Sequence, residues 1–169
     1  MRLFIAVPMS HRIRSELIGV QMQMKKLGYQ GNFTRKENLH MTLAFLGERD
    51  DPEHILEVIK VVTLPEITLT FSGIGNFGDI IWLGVEQNDA LNQYVCELRN
   101  ELKEHSICFD EKAFKAHITL SRNTKCPKVK TVRFSKLSMP VERIVLMCSE
   151  RDKEGTLIYR EMGEVSKPQ

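Results

Sequence analysis

No stretch of this 169-residue sequence approaches the ~20 consecutive apolar residues that a membrane-spanning helix needs. The apolar run from Leu3 to Val7 ends at Pro8 and is too short for the core of a secretory signal. A cytoplasmic protein that does not contact membranes is expected. An excess of one charge is also missing: 24 Lys and Arg stand against 22 Asp and Glu, for a net charge of +2. Overall basicity therefore cannot drive nucleic-acid binding, and any such contact must come from a local patch. Cysteine is sparse. Cys96, Cys108, Cys126 and Cys148 form no C-x-x-C pair and show no zinc-finger spacing with histidine. Reduced, mostly buried thiols are expected, since free Cys behaves as a small hydrophobe, and neither a metal nor a cofactor is implied. Low-complexity segments and flexible linkers are absent as well. A hydrophobic content of 42% and a charged content of 27% are ordinary for a globular chain, and the length suits one compact bilobal domain over residues 1–169, with a monomer expected.

What is present is a series of short periodic segments. Arg2 to Val7 is β-prone. Ser10 is a candidate N-cap for a helix from His11 to Leu27, whose Ile13, Leu17, Val20, Met24 and Leu27 fall at helical spacing. Leu39 to Leu46 reads as a strand closed by Gly47. Asp51-Pro52 starts a second helix, and Ile67 to Phe71 alternates as a strand. Ile80 to Val85 reads as a buried strand, and Leu91, Val95, Leu98 and Leu102 define a third helix. Further strands are expected at Ala116 to Ser121, Val129 to Met139, Arg143 to Cys148 and Thr156 to Tyr159, with Lys153-Glu154-Gly155 as a hairpin turn. The last residues, Val165 to Gln169, read as a frayed tail.

The two halves repeat. Strand, helix, connection and a strand opening His-x-Thr-Leu occur twice, with 35 positions from Ile5 to His40 and 34 from Leu83 to His117. The repeat units are approximately 1–75 and 76–169. An α+β fold follows, bilobal and duplicated about a pseudo-twofold, with antiparallel sheets lining a central cleft and helices outside. The repeated motifs are His40-Met41-Thr42-Leu43 and His117-Ile118-Thr119-Leu120. Strand side chains alternate between faces, so His40 shares a face with Thr42 and His117 with Thr119, while Met41, Leu43, Ile118 and Leu120 point to a core. Two chance copies in a chain with five histidines are expected in only about a few of ten thousand sequences. Two imidazoles titrating near neutrality suit paired proton transfer, each worth ~10²–10⁴-fold in rate. Opening a cyclic phosphodiester uses such a pair, one to take a proton from water and one to give one to the leaving oxygen. Threonine hydroxyls can donate to the nonbridging oxygens as charge builds. The motifs are nearly equivalent, so the residues themselves leave acid and base unassigned.

These motifs resemble those of the 2H phosphoesterase superfamily. Within it the chain is similar to the bacterial and archaeal RNA 2′,3′-cyclic phosphodiesterases, once called 2′-5′ RNA ligases. The resemblance runs through Arg2 to Ala6, Glu37 to Gly47, Trp82 to Val85, Phe114 to Arg122 and Ser149-Glu150. Ala116 departs from it, standing where the family usually has proline, and is expected to alter strand entry but not chemistry. The resemblance implies that His40 donates a proton to the departing ribose 3′-oxygen and that His117 accepts one from the attacking water. It implies a 2′-phosphomonoester product and RNA substrates with 2′,3′-cyclic phosphate ends, tRNA fragments among them. It also places Phe45 and Arg122 against the terminal nucleotide, where Phe45 would stack on a base and Arg122 would stack or bind phosphate. Simple alternation puts both side chains opposite the histidines, so each strand has to bend or end before them.

Gly73-Ile74-Gly75-Asn76-Phe77-Gly78 matches G-x-G-x-x-G, but a strand follows it rather than the helix a dinucleotide site requires. It is read as a turn between lobes. Arg122, Lys125, Lys128, Lys130, Arg133 and Lys136 make an acid-free basic segment suited to RNA backbone contact or to a solvated face. His11, His54 and His105 have no partner threonine and read as surface residues. Two rival functions share these features: a 2′-5′ RNA ligase using the same histidines in reverse, and a noncatalytic RNA-binding module using the basic segment.

Overall fold

The computed structural model describes residues 1–125 and 132–169. Strand β1 (Arg2–Pro8) leads to helix α1 (His11–Lys26), then β2 (Gln30–Phe33), a short 3₁₀ turn (Lys36–Asn38) and β3 (His40–Glu48). Helix α2 (Pro52–Val61) precedes β4 (Thr68–Phe77), β5 (Ile80–Val85) and α3 (Asp89–Glu104). The chain ends with β6 (His117–Lys125), β7 (Ser138–Pro140), β8 (Arg143–Arg151) and β9 (Leu157–Ser166).

The local reasons for these elements are legible. Ser10 caps α1 by accepting from the Ile13 amide, and Asn88 caps α3 through the Leu91 amide. Pro52 opens α2, where its missing N–H costs nothing. Each helix buries one apolar stripe: Ile13, Leu17, Val20 and Met24 in α1, and Leu91, Tyr94, Val95, Leu98 and Leu102 in α3. The final hairpin turns at Gly155 with a positive φ of 80°, a conformation that costs glycine little.

Two antiparallel sheets result, one ordered β3-β1-β8-β9 and the other β2-β6-β5-β4-β7. The paired strands β3-β1 and β6-β5 correspond under the pseudo-twofold, and β3 touches β6 across the molecule. Each sheet takes strands from both sequence halves. The division at 75/76 falls inside β4, which joins the second sheet, while β8 and β9 return to the first. The histidine-bearing strands are thus held together by chain exchange. One large core fills the space behind the sheets, and a small separate cluster of Phe4, Ala6, Val145 and Met147 lies on the first sheet, flanked by Phe45 and Tyr159.

Four expectations need correction. Gly73 to Phe77 is the second half of β4, not a turn between lobes, and the turn is Gly78-Asp79. A side chain at Gly75 would place its Cβ 2.2 Å from the Trp82 indole, so this glycine serves close packing across the hairpin. Of the strand expected over Val129 to Met139, residues 129–131 lie outside the described residues, 132–137 are irregular, and only Ser138–Pro140 is a strand. Cys148 is buried, but Cys96 and Cys108 are exposed. Both stand outside the apolar stripe of α3 and its following loop, and Cys126 lies outside the described residues. The carboxyl-terminal tail is anchored: β9 continues to Ser166, the Lys167 amide donates to the Glu142 carbonyl, and the Lys167 ammonium pairs with Glu66.

Candidate active site

His40 and His117 open β3 and β6, and both line one cleft of about 300 Å³ together with Thr42, Phe45, Thr119 and Arg122. All six residues singled out from the sequence therefore meet there. The same cleft adds Arg2, Phe4, Ser149, Arg151, Leu157 and Tyr159, which come from β1 and the β8–β9 hairpin.

Phe45 and Arg122 reach the cleft because both motif strands bulge at the same place. In β3, Thr42 faces Ala6 and Ala44 faces Ile5, so Leu43 is passed over in the pairing with β1. In β6, Thr119 faces Trp82 and Ser121 faces Ile81, so Leu120 is passed over in the pairing with β5. A bulge adds one residue to one strand and resets the alternation. Leu43 with Ala44, and Leu120 with Ser121, are consequently both buried, and Phe45 and Arg122 return to the face of the histidines.

The two imidazoles are oriented alike. His40 Nδ1 lies 2.7 Å from the Asn38 carbonyl oxygen and His117 Nδ1 lies 2.6 Å from that of Lys115. A carbonyl only accepts, so Nδ1 carries the hydrogen in each ring and Nε2 is left to exchange protons. In neutral His40 the Thr42 hydroxyl donates to Nε2 across 2.9 Å. Aromatic rings hold each imidazole. His40 packs on Phe4 at 4.9 Å and edge-on to Tyr159 at 5.1 Å, while His117 sits edge-on to Phe77 at 5.2 Å with Trp82 at 6.3 Å. Phe4 and Trp82 hold equivalent positions in the repeat.

Burial sets the electrostatics of His40. Desolvation lowers His40 from the ordinary 6.5 to about 4; the Asn38 hydrogen bond opposes this, and the charges of Arg122, His117 and Arg14 add to it. His40 is therefore neutral in the free protein at neutral pH. Tyr159 is shifted upward by its own burial. Arg2 lies over the Phe45 ring at 5.2 Å, which braces the ring at the cleft edge. Such a site offers two proton-exchanging nitrogens, hydroxyls beside them, and guanidinium groups from Arg2, Arg122 and Arg151 for an anion. Among the described residues, no group of three or more His, Cys, Asp or Glu is placed to hold a metal.

His11, His54 and His105 are exposed and lie outside the cleft. The basic segment divides. Arg122 enters the cleft, Lys125 is exposed, Lys136 pairs with Glu86, the Arg133 amide binds Gln23, and Lys128 and Lys130 lie outside the described residues. Tyr159, Ser149 and Arg151 were missed by sequence reasoning as cleft residues. The only signal for them was the Ser149-Glu150 match ahead of the last hairpin. No helix among the described residues is long and apolar enough to cross a membrane.

Two His-x-Thr-Leu strands sharing one cleft define a site of the 2H phosphoesterase class. The chain belongs to the 2'-5' RNA ligase superfamily, whose sequence model matches residues 12–153. It is 31% identical to an RNA 2',3'-cyclic phosphodiesterase of Thermotoga maritima, over 97% of this chain and 94% of that one. An Archaeoglobus fulgidus protein of the same name is 33% identical over 76% of this chain and 77% of its own. Among solved structures, Escherichia coli LigT complexed with 3'-AMP superposes with a TM-score of 0.85 at 26% identity, covering 99% of this chain and 98% of that one. TT0787 of Thermus thermophilus superposes with a TM-score of 0.81 at 27% identity, covering 98% and 97%.

Proposed function

We propose that this protein hydrolyses RNA 2′,3′-cyclic phosphate ends to 2′-phosphomonoesters without a metal, using His40 and His117 as acid and base. The observation that carries this reading is the matched pair of imidazoles on bulged strands, each with Nδ1 held by a backbone carbonyl and Nε2 available for proton exchange. His117 takes a proton from water as its oxygen attacks phosphorus. The P–O3′ bond breaks, and His40 delivers a proton to the departing 3′-oxygen. The 2′-oxygen keeps the phosphate. Neutral His40 must first acquire its proton, and the negative charge of the bound cyclic phosphate favours that charged form. Thr42 and Thr119 donate to the nonbridging oxygens as charge accumulates. Phe45 supports the terminal base, and Arg122 attracts the phosphate or stacks. The relatives that carry the cyclic phosphodiesterase name support the substrate class.

The test is an oligonucleotide ending in a 2′,3′-cyclic phosphate, followed by identification of the product. A 2′-phosphate is expected, and a 3′-phosphate overturns the stated direction of opening. An RNA half with a 5′-hydroxyl is included in a parallel reaction. Ligation at a rate comparable to hydrolysis would replace the hydrolase reading by that of a ligase.

A further inference from the structure

The bulges that aim Phe45 and Arg122 carry a second regularity. A bulged residue leaves the regular ladder, and its backbone groups still need partners when buried. The Leu43 carbonyl receives both Nε and Nη2 of Arg99, at 3.2 and 3.0 Å. The Leu120 carbonyl receives Nε2 of Gln21 at 2.9 Å, beside the Thr34 amide at 2.9 Å. Arg99 lies on α3 and Gln21 on α1, each 16 positions beyond the paired residues Leu83 and Ile5 of the repeat. They are therefore the same position of the duplicated unit, and each serves the motif of the other unit.

Each side chain also holds a second carbonyl. Arg99 Nη1 donates to the Lys112 carbonyl at 2.8 Å, in the segment entering β6. Gln21 Nε2 donates to the Thr34 carbonyl at 2.9 Å, in the segment entering β3. One motif's bulge is thus tied to the approach of the other motif, twice and in crossed fashion. Gln21 is only 3% exposed, an unusual place for a glutamine unless its amide is satisfied. Phe109 and Phe114 flank the Arg99 guanidinium at 5.4 and 5.8 Å. On the free edge of β3, the Asp110 amide completes the seam by donating to the Phe45 carbonyl at 2.9 Å.

We infer that Gln21 and Arg99 are positioning residues that lock the two motif strands in mutual register, each by clamping the bulge carbonyl of the opposite motif. Neither lines the catalytic cleft. Their effect on turnover rests on the function proposed above, whereas their effect on the histidine rings does not.

Gln21→Met keeps side-chain length, Arg99→Met keeps an apolar stem, and both remove the donors. Each is expected to lower kcat ~10–100-fold, the scale of an ångström-sized misplacement, with KM changed less than about threefold because the cleft side chains that bind remain. The histidine NMR signals supply the activity-independent reading. Arg99→Met should move His40 more than His117, and Gln21→Met should move His117 more than His40, with exposed His11 unmoved in the Arg99 variant. Folded variants with wild-type kcat and unmoved rings would overturn the assignment. Absence of cyclic phosphodiesterase activity in the unaltered protein would sink the proposed function while leaving the ring test intact. Should either Met variant fail to fold, Arg99→Lys and Gln21→Asn carry the test. The Lys variant keeps one donor nitrogen in place of three and should fall between the extremes, and the Asn variant is too short to reach and should match the loss expected for Met. Wild-type kcat with unmoved rings in both refutes the clamp.

Discussion

His40 stores an acid-sensitive contribution to stability, and its size follows from its burial. The imidazole titrates at the ordinary 6.5 in the unfolded chain and at about 4 in the folded protein, chiefly because burial penalises its charged form. The unfolded state therefore binds the proton first as pH falls. Stability attributable to this residue is complete above 6.5, declines through the window from 6.5 to 4, and is lost below that. The full difference is about 3 kcal/mol, since each pKa unit corresponds to 1.36 kcal/mol, and most of it is gone by pH 4.5. His40→Gln removes the titration while keeping an amide that can meet the Asn38 carbonyl. Urea unfolding of both proteins between pH 7.5 and 4.5 measures the effect. The wild type should lose about 2–3 kcal/mol more than the variant across that interval. Parallel pH dependences would refute the claim that His40 is held neutral by burial. Inorganic phosphate extends the test. Bound in the cleft, it should raise the His40 NMR titration midpoint above 4, and an unmoved midpoint under saturating phosphate would remove the route by which this residue becomes a proton donor.

Three further outcomes are expected. Arg122→Ala should raise KM for a cyclic-phosphate oligonucleotide and also move the His40 midpoint upward, because the arginine's charge helps hold it down; a steady-state titration and an NMR titration check the two effects separately. Thr42→Val and Thr119→Val should each lower kcat by about 10²-fold, the scale of one lost donor to a developing oxyanion, with little change in circular dichroism; unimpaired turnover would remove the hydroxyls from the chemistry. Gly75→Ala should destabilise the fold by ~1–3 kcal/mol through overpacking, since the new Cβ meets the Trp82 ring, and a thermal melt like that of the wild type would show that the indole yields freely.

The histidine faces were legible because strand alternation is local: His40 with Thr42 and His117 with Thr119 are fixed by period two alone. The place of Phe45 and Arg122 was not, because a bulge is defined by the partner strand. Nothing within Thr42-Leu43-Ala44 shows that Leu43 is passed over by β1. The same limit explains Gly73 to Gly78. Its glycines spell a turn, whereas Gly75 exists for the indole of a residue on the next strand. The strand exchange that returns β8 and β9 to the first sheet carries Tyr159 and Arg151 to His40 over more than a hundred residues, a distance no local pattern spans. Gln21 and Arg99 were hidden differently. Gln21 interrupts the apolar stripe of α1 as a buried polar residue, a signal that becomes readable only once its acceptor is known. The helices themselves, with the cap at Ser10, follow from sequence because capping and apolar spacing are settled within a few turns.

We propose that two histidines, acting without a metal, open the cyclic phosphate. Hydrolysis of a 2′,3′-cyclic-phosphate oligonucleotide in excess EDTA, run with the wild type and with folded His40→Ala and His117→Ala proteins, tests it most directly. Full wild-type activity in EDTA and a loss of at least ~10²-fold in each variant are expected. Activity that requires added metal, or that survives in either histidine variant, would contradict it.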